Sequence, residues 1–189
     1  DSESRGLGDV YKRQFLGSGK TTLIRTLLER PDLERTAVII NEFGEIGLDH
    51  ELIESSEEDL VELSTGCICC VMRGDLQEAI ERLMVRQQTG KVFDRIILET
   101  TGLADPGPIL HSLIYNEYLK SLVRLDRVVI TVDALSGLNS IANFKECPQQ
   151  IALADIILIT KADIDPTNVD DLRRELRRIN PEAFIYESN

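Results

Sequence analysis

Short continuous apolar runs alternate with segments whose apolar residues recur every three or four positions, from Phe15 to the end of the chain. The run 36–41 (TAVIIN) predicts a buried strand, and 95–99, 127–133 and 155–161 predict parallel-type strands of the same kind. Leu76, Ala79, Ile80, Leu83 and Met84 share one face of a helix predicted over 75–88. Val169, Leu172, Leu176 and Ile179 do so over 168–179. A helix over 20–30 is stopped by Pro31. Residues 60–63 predict a short strand leading into a cysteine-bearing loop, and 183–186 an edge strand. Between 41 and 59 the chain is rich in glycine and acids without a period, which predicts a mobile loop. Strands alternating with helices predict a doubly wound, mostly parallel α/β sheet in three α/β/α layers.

The residues before Phe15 fit that pattern poorly. A strand leading into a phosphate-binding loop should occupy roughly 9–15 and, in a parallel sheet, be covered on both faces. The sequence there is Asp9-Val10-Tyr11-Lys12-Arg13-Gln14-Phe15. Burying Lys12 and Arg13 unpaired would cost on the order of several kcal/mol. The stretch 4–14 (SRGLGDVYKRQ) also resembles translated sequencing adaptor. Residues 1–14 are therefore expected to be a non-native segment outside the fold. Residues 15–189 would form one domain whose natural first strand is missing.

Composition narrows the function classes. At 189 residues the chain suits one α/β domain, and 42% apolar residues in regular runs exclude a disordered one. A net charge of −12 argues against nucleic acid or an anionic membrane as partner, since both select basic faces. No stretch approaches the ~18 apolar residues that span a bilayer, and a cytoplasmic location is expected. Four cysteines, three of them within 67–70, look like thiols kept reduced for a metal rather than a disulfide framework. The pairs Arg173-Arg174 and Arg177-Arg178 read as a solvated helix face.

Gly17-Ser18-Gly19-Lys20-Thr21-Thr22 carries the end of the phosphate-loop pattern G-x-x-x-x-G-K-[ST]. Gly17 and Gly19 let successive backbone N–H groups converge on phosphate oxygens, at the positive end of the helix that follows. Lys20 would reach the β- and γ-phosphates, and the Thr21 hydroxyl would ligate Mg²⁺. This motif in an α/β pattern predicts a P-loop NTPase. Two strands end in an acid that competes for the second Mg²⁺-side role, Glu99 and Asp133. Glu99 is the better candidate, because Gly102 just beyond it can bring a backbone N–H to a γ-phosphate. Asp133 reads as a cap for a following helix. Thr160-Lys161-Ala162-Asp163 follows a predicted strand. Asp163 can accept from N1–H and the exocyclic amine of guanine, and Lys161 can lay its stem along the base, so GTP is favoured over ATP.

Cys67, Cys69 and Cys70 lie between Gly66 and Gly74. Their spacing differs from the C-x₂-C knuckle of closed structural zinc sites, and three thiolates leave a fourth position open, as a transfer site requires. Thiolate softness favours Zn²⁺ or Cu⁺, with cobalt and nickel left open. Cys147 reads as a structural thiol, and His50 and His111 as isolated residues, with His50 retaining some claim to lie near a metal.

GSGKTT (17–22), NEFGEIGLD (41–49), GCICC (66–70), ETTGLADP (99–106) and TKAD (160–163) occur in that order. In this the chain resembles the CobW-like metallochaperone GTPases, relatives of HypB and UreG. The resemblance implies slow GTP hydrolysis coupled to delivery of zinc, or cobalt, to a client metalloenzyme. It implies a first switch segment at 41–44, with Glu42 near the γ-phosphate or the metal, and a second at 99–102. It also makes a nucleotide-dependent homodimer plausible. Three departures stand out. Gln14 replaces the first P-loop glycine, Thr160 stands where many GTPases have Asn, and the sequence does not include the C-terminal domain most members carry.

No Gln stands where Ras-like GTPases use one, so a carboxylate, Glu42 first and Asp49 second, is expected to position the attacking water. Ordering of 41–59 and of the Glu99–Gly102 segment by GTP-Mg²⁺ would set the geometry of the cysteine loop between them. A metal-sensing GTP-binding module without direct metal transfer is the competing reading. A third is a fragment that binds nucleotide poorly or not at all for want of its first strand and of the first P-loop glycine.

Overall fold

The computed structural model describes residues 7–14, 19–41, 60–62, 68–71, 76–90, 92–100, 106–164 and 166–188. Among them, eight strands form one sheet: β1 (Leu7–Gln14), β2 (Thr36–Asn41), β3 (Leu60–Glu62), β4 (Ile68–Val71), β5 (Arg95–Thr100), β6 (Val123–Asp133), β7 (Ile156–Thr160) and β8 (Phe184–Ser188). Their order is β3-β4-β2-β5-β1-β6-β7-β8. Every adjacent pair is parallel except β3 with β4. The helices are α1 (Lys20–Leu28), α2 (Leu76–Gln88), α3 (Gly107–Tyr115), α4 (Glu117–Leu122), α5 (Gly137–Asn143), α6 (Glu146–Ala152) and α7 (Pro166–Ile179).

The continuous apolar runs form central strands because both their faces are covered. Ala37, Ile39, Ile96 and Leu98 pack with Ile80 and Leu83 of α2. Val38, Ile40 and Ile97, offset by one residue and so on the opposite face, pack with Ile24 and Leu28 of α1. Helices therefore lie on both faces of this part of the sheet, as the α/β alternation predicts. A separate cluster joins Ile130 and Val132 of β6 and Ile157 and Ile159 of β7 to Leu172 and Leu176 of α7.

Three elements differ from expectation. Residues 7–14, expected outside the fold, form β1 at the centre of the sheet, with Val10 in register with Ile97 of β5 and Arg127 of β6. The donors and acceptors of a parallel ladder belong to the backbone, so this pairing can form whatever side chains the segment carries. β5 and β6 each offer an edge to the same slot, and the eight residues that lead towards α1 fill it. The ladder with β6 shifts register between Asp9 and Val10, where Asp126 of β6 is skipped, while the ladder with β5 is regular. Second, Cys69 and Cys70 lie in a strand rather than a loop. Ile68–Val71 is an apolar four-residue run, and β4 pairs in parallel with β2 and antiparallel with β3. Third, α3 to α6 are helices of six to nine residues, too short for a period of 3.6 to show in the sequence. Asn116 starts one of them, its side-chain oxygen accepting from the backbone N–H of Tyr118 at 3.0 Å and Leu119 at 3.2 Å.

The arginines of α7 form the expected solvated face, with Arg174 and Arg178 exposed, and they also pair. Arg173 pairs with Glu187 of β8 and Arg174 with Asp171. Arg178 reaches Glu175 at 2.6 Å, and Arg177 donates to the carbonyls of Ala183 and Pro181 at 2.7 and 2.9 Å. Among the described residues no helix is long and apolar enough to cross a membrane.

At the start of α5, a Cβ on Gly137 would lie 2.7 Å from Val132 Cγ1 and 3.1 Å from Leu172 Cδ1. Gly137→Ala should therefore destabilise the domain by about 1–3 kcal/mol in urea titrations. The central position of β1 predicts that Lys12→Val with Arg13→Val raises the thermal midpoint by at least about 2–4 °C; an unchanged midpoint would place residues 7–14 outside the folded unit.

Candidate nucleotide-binding site

Parallel strands bring their carboxyl ends to one edge, and in open α/β sheets ligands bind beyond that edge. Residues 19–22, 99–100, 133 and 160–163 all lie at or just past those ends. Gly19 is left-handed (φ 82, ψ 22) and precedes the first turn of α1, accepting at its carbonyl from Leu23 N–H at 3.0 Å. Only glycine takes that conformation without strain. The first turn of α1 holds no acidic residue, so no side chain of that turn competes with an anion for the positive end of the helix. Lys20, Thr21 and Thr22 form this turn.

Glu99 occupies the end of β5, in register with Lys12 of β1 and Ile40 of β2, and is 5% exposed. Its neighbour Thr100 is fully buried. A threonine hydroxyl and a carboxylate are the hard oxygen donors Mg²⁺ accepts, so the chemistry of Thr21 and Glu99 fits that ion.

On the other side of β1, the ends of β6 and β7 are joined by side chains. Asp133 and Thr160 are in register. Asp133 Oδ2 accepts from Lys161 Nζ at 2.6 Å, and its Oδ1 accepts from Leu135 N–H at 2.7 Å. Ala134 N–H donates to the Thr160 carbonyl at 2.9 Å. Lys161 itself has a positive φ of 57°, and its carbonyl accepts from Ile164 N–H at 3.2 Å, closing a turn over the exposed Asp163. The expected capping role of Asp133 is thereby corrected. Helix α5 begins four residues later, with Ser136 at its N-cap and no side-chain cap bond. The carboxylate instead makes an Asx-type turn and an ion pair. The Asp133–Lys161 pair is not evident from the sequence alone. Its signal was two adjacent parallel strands ending in an acid and in Thr-Lys.

Gly17, Ser18, Glu42, Asp49, His50, Cys67 and Gly102 lie outside the described residues. Cys69 and Cys70 are placed by backbone in β4. Among the described residues, no group of three or more His, Cys, Asp or Glu side chains is arranged to hold a metal. His111 is exposed and stacks, tilted, on Tyr115 with ring centroids 4.7 Å apart. Cys147 is buried in α6. Burial, and secondarily Glu146, pushes its thiol up from 9.0 to about 11.

The model of the family described as CobW/HypB/UreG, nucleotide-binding domain, matches residues 13–187. The zinc chaperone YjiA of Escherichia coli (strain K12) is 39% identical over 173 residues, which cover 91% of this chain and 54% of the relative. The zinc-regulated GTPase metalloprotein activator 1 of Schizosaccharomyces pombe is 36% identical over 182 residues, 92% of this chain and 44% of that protein. The crystal structure of Zn(II)-bound YjiA GTPase from E. coli superposes with a TM-score of 0.79 at 34% identity, covering 96% of this chain and 57% of that one. The chain thus spans about half the length of the relatives it matches.

The raised thiol fixes the sign of one pH effect. Between 9.0 and about 11 the folded state keeps the Cys147 proton that the unfolded chain releases. This contribution is fully present below pH 9 and is lost as pH rises through about 11. Cys147→Ala should flatten the alkaline fall in unfolding free energy across that window, measured by urea titration at successive pH values.

Proposed function

The chain belongs to the CobW/HypB/UreG nucleotide-binding family, and from that premise we propose that it is the GTP-hydrolysing domain of a zinc metallochaperone. The observation that carries guanine as the base is the end of β7, where left-handed Lys161 and exposed Asp163 sit on the ligand-binding edge of the sheet. Gly17, Ser18, Gly19, Lys20, Thr21 and Thr22 cradle the phosphates in this reading, with Gly102 donating its backbone N–H to the γ-phosphate. Thr160, Lys161 and Asp163 take the base. Thr21 and Glu99 would hold Mg²⁺, which supplies charge neutralisation on the transferred phosphoryl group when bound. Glu42, with Asp49 as second choice, orients the attacking water.

Cys67, Cys69 and Cys70 take zinc as cargo. Zinc is favoured over cobalt by the names of the relatives, a zinc chaperone and a zinc-regulated GTPase. The ladder supports coupling between cargo and nucleotide. Strand β4 pairs with β2, whose last residue, Asn41, enters the expected first switch segment, and Val38 and Ile39 are in register with Cys69 and Cys70. A shift of 41–44 on hydrolysis would thus act on a strand bonded directly to the cysteine strand. A client metalloenzyme receives the metal, in the cytoplasm, and a nucleotide-dependent homodimer is the assembly consistent with a site at an open sheet edge. The name "zinc-regulated" also favours a second reading, in which zinc binding governs partner association and no metal is passed on.

Zinc affinity of the reduced protein, by chelator competition, is expected to differ about tenfold or more between a non-hydrolysable GTP analogue with Mg²⁺ and GDP, an ordinary coupling of about 1.4 kcal/mol. Equal affinities would separate the cysteines from the nucleotide and overturn the chaperone reading. Transfer of zinc to an apo-metalloenzyme distinguishes chaperone from sensor.

A further inference from the structure

We propose that Asp133 is a positioning residue of the base site, acting through Lys161; the inference rests on the guanine-nucleotide reading above. Asp133 is 4% exposed, and a carboxylate so placed needs partners for its charge. It has one on each oxygen, the Leu135 N–H at 2.7 Å and the Lys161 ammonium at 2.6 Å. Lys161 is 37% exposed at its side chain, so with its ammonium paired to Asp133 part of the side chain still reaches the surface, where a ligand can meet it.

The backbone of Lys161 makes such a hold necessary. Among the described non-glycine residues it alone has a positive φ, a strained conformation that persists only where the surroundings enforce it. Three constraints converge on it: the Asp133 ion pair, the bond from Ala134 N–H to the Thr160 carbonyl, and the bond from Ile164 N–H to the Lys161 carbonyl. Two of these originate in residues 133–134, at the end of the neighbouring strand. Asp163 lies two residues beyond Lys161, inside the turn that the last bond closes. The orientation of Lys161 therefore sets both walls of a base pocket: its own stem, and the carboxylate that would read the base edge. Asp133 touches neither base nor phosphate in this scheme. It pre-forms the pocket.

The test measures affinities of the whole chain for fluorescent GDP and ADP, with circular-dichroism melts of each variant. Asp133→Asn keeps an acceptor for Leu135 N–H and removes the charge. It should weaken GDP about tenfold, a loss typical of one positioning contact, while ADP, held by its phosphates, changes less than about twofold. Lys161→Met keeps the stem but cannot pair, and should lose the same preference. The double variant should be no worse than either single one, which also removes the unpaired charge each single change leaves. Equal losses for GDP and ADP, or additive losses in the double variant, would make Asp133 merely structural and overturn the inference. So would full guanine preference in Lys161→Met, which remains decisive should Asp133→Asn melt early. Asp163→Asn is the control for the underlying reading. If it leaves GDP binding unchanged, or the unaltered chain does not prefer GDP, the base-site reading falls and this inference with it. If Asp163→Asn weakens GDP and Asp133→Asn does not, only the inference falls.

Discussion

Parallel hydrogen bonding between strands governs everything at the ligand edge of this domain. A parallel ladder obliges each chain segment to return by a helix before it can pair again, and so delivers every carboxyl end to the same side. β1, β5, β6 and β7 end there together, and with them Gly19 at the mouth of α1, the buried Glu99, Asp133 and the Thr160–Asp163 turn. Residues more than a hundred positions apart become one site without a direct contact across the whole span. The same ladder explains how an unpromising strand occupies the centre. Backbone groups supply the hydrogen bonds that pair residues 7–14 with β5 and β6.

Much of this was legible in the sequence, and the physical reasons are specific. Strands 36–41 and 95–99 announce themselves because burial on both faces demands an unbroken apolar run, and every residue of 36–40 is buried. Helix α2 was equally plain, since Leu76, Ala79, Ile80 and Leu83 are spaced to one face and all four are buried. The short helices between β5 and β7 were not. A six-residue helix such as α4 shows fewer than two turns, and its start is fixed by the Asn116 side chain rather than by a pattern. At Lys12 and Arg13 charge argues against a central strand, yet the backbone of residues 7–14 pairs with β5 and β6. At Ile68–Val71 the two thiols point to a ligand loop, yet the same four residues are apolar enough to pair as a strand with β2.

At the site, motif spacing identified Gly19, Lys20, Thr21, Glu99, Lys161 and Asp163 as belonging together, and the described ones do share the carboxyl edge. What spacing cannot express is a contact between strand ends. Asp133 and Lys161 are 28 residues apart, and only the register of β6 against β7 makes them neighbours. A strand-end acid looks like a helix cap until the next strand is laid beside it.

Gly137 gives this arrangement a mechanical character. With no side chain there, α5 rests directly on Val132 of β6 and Leu172 of α7, without compressible space between the three. Val132 is the residue immediately before Asp133. Close-packed interiors transmit strain, so this contact is a route by which a shift of α7 would reach α5 and the strand end that carries the carboxylate. The outer helix and the edge of the sheet are linked as by a strut, whose length is set by the absence of a single methyl group.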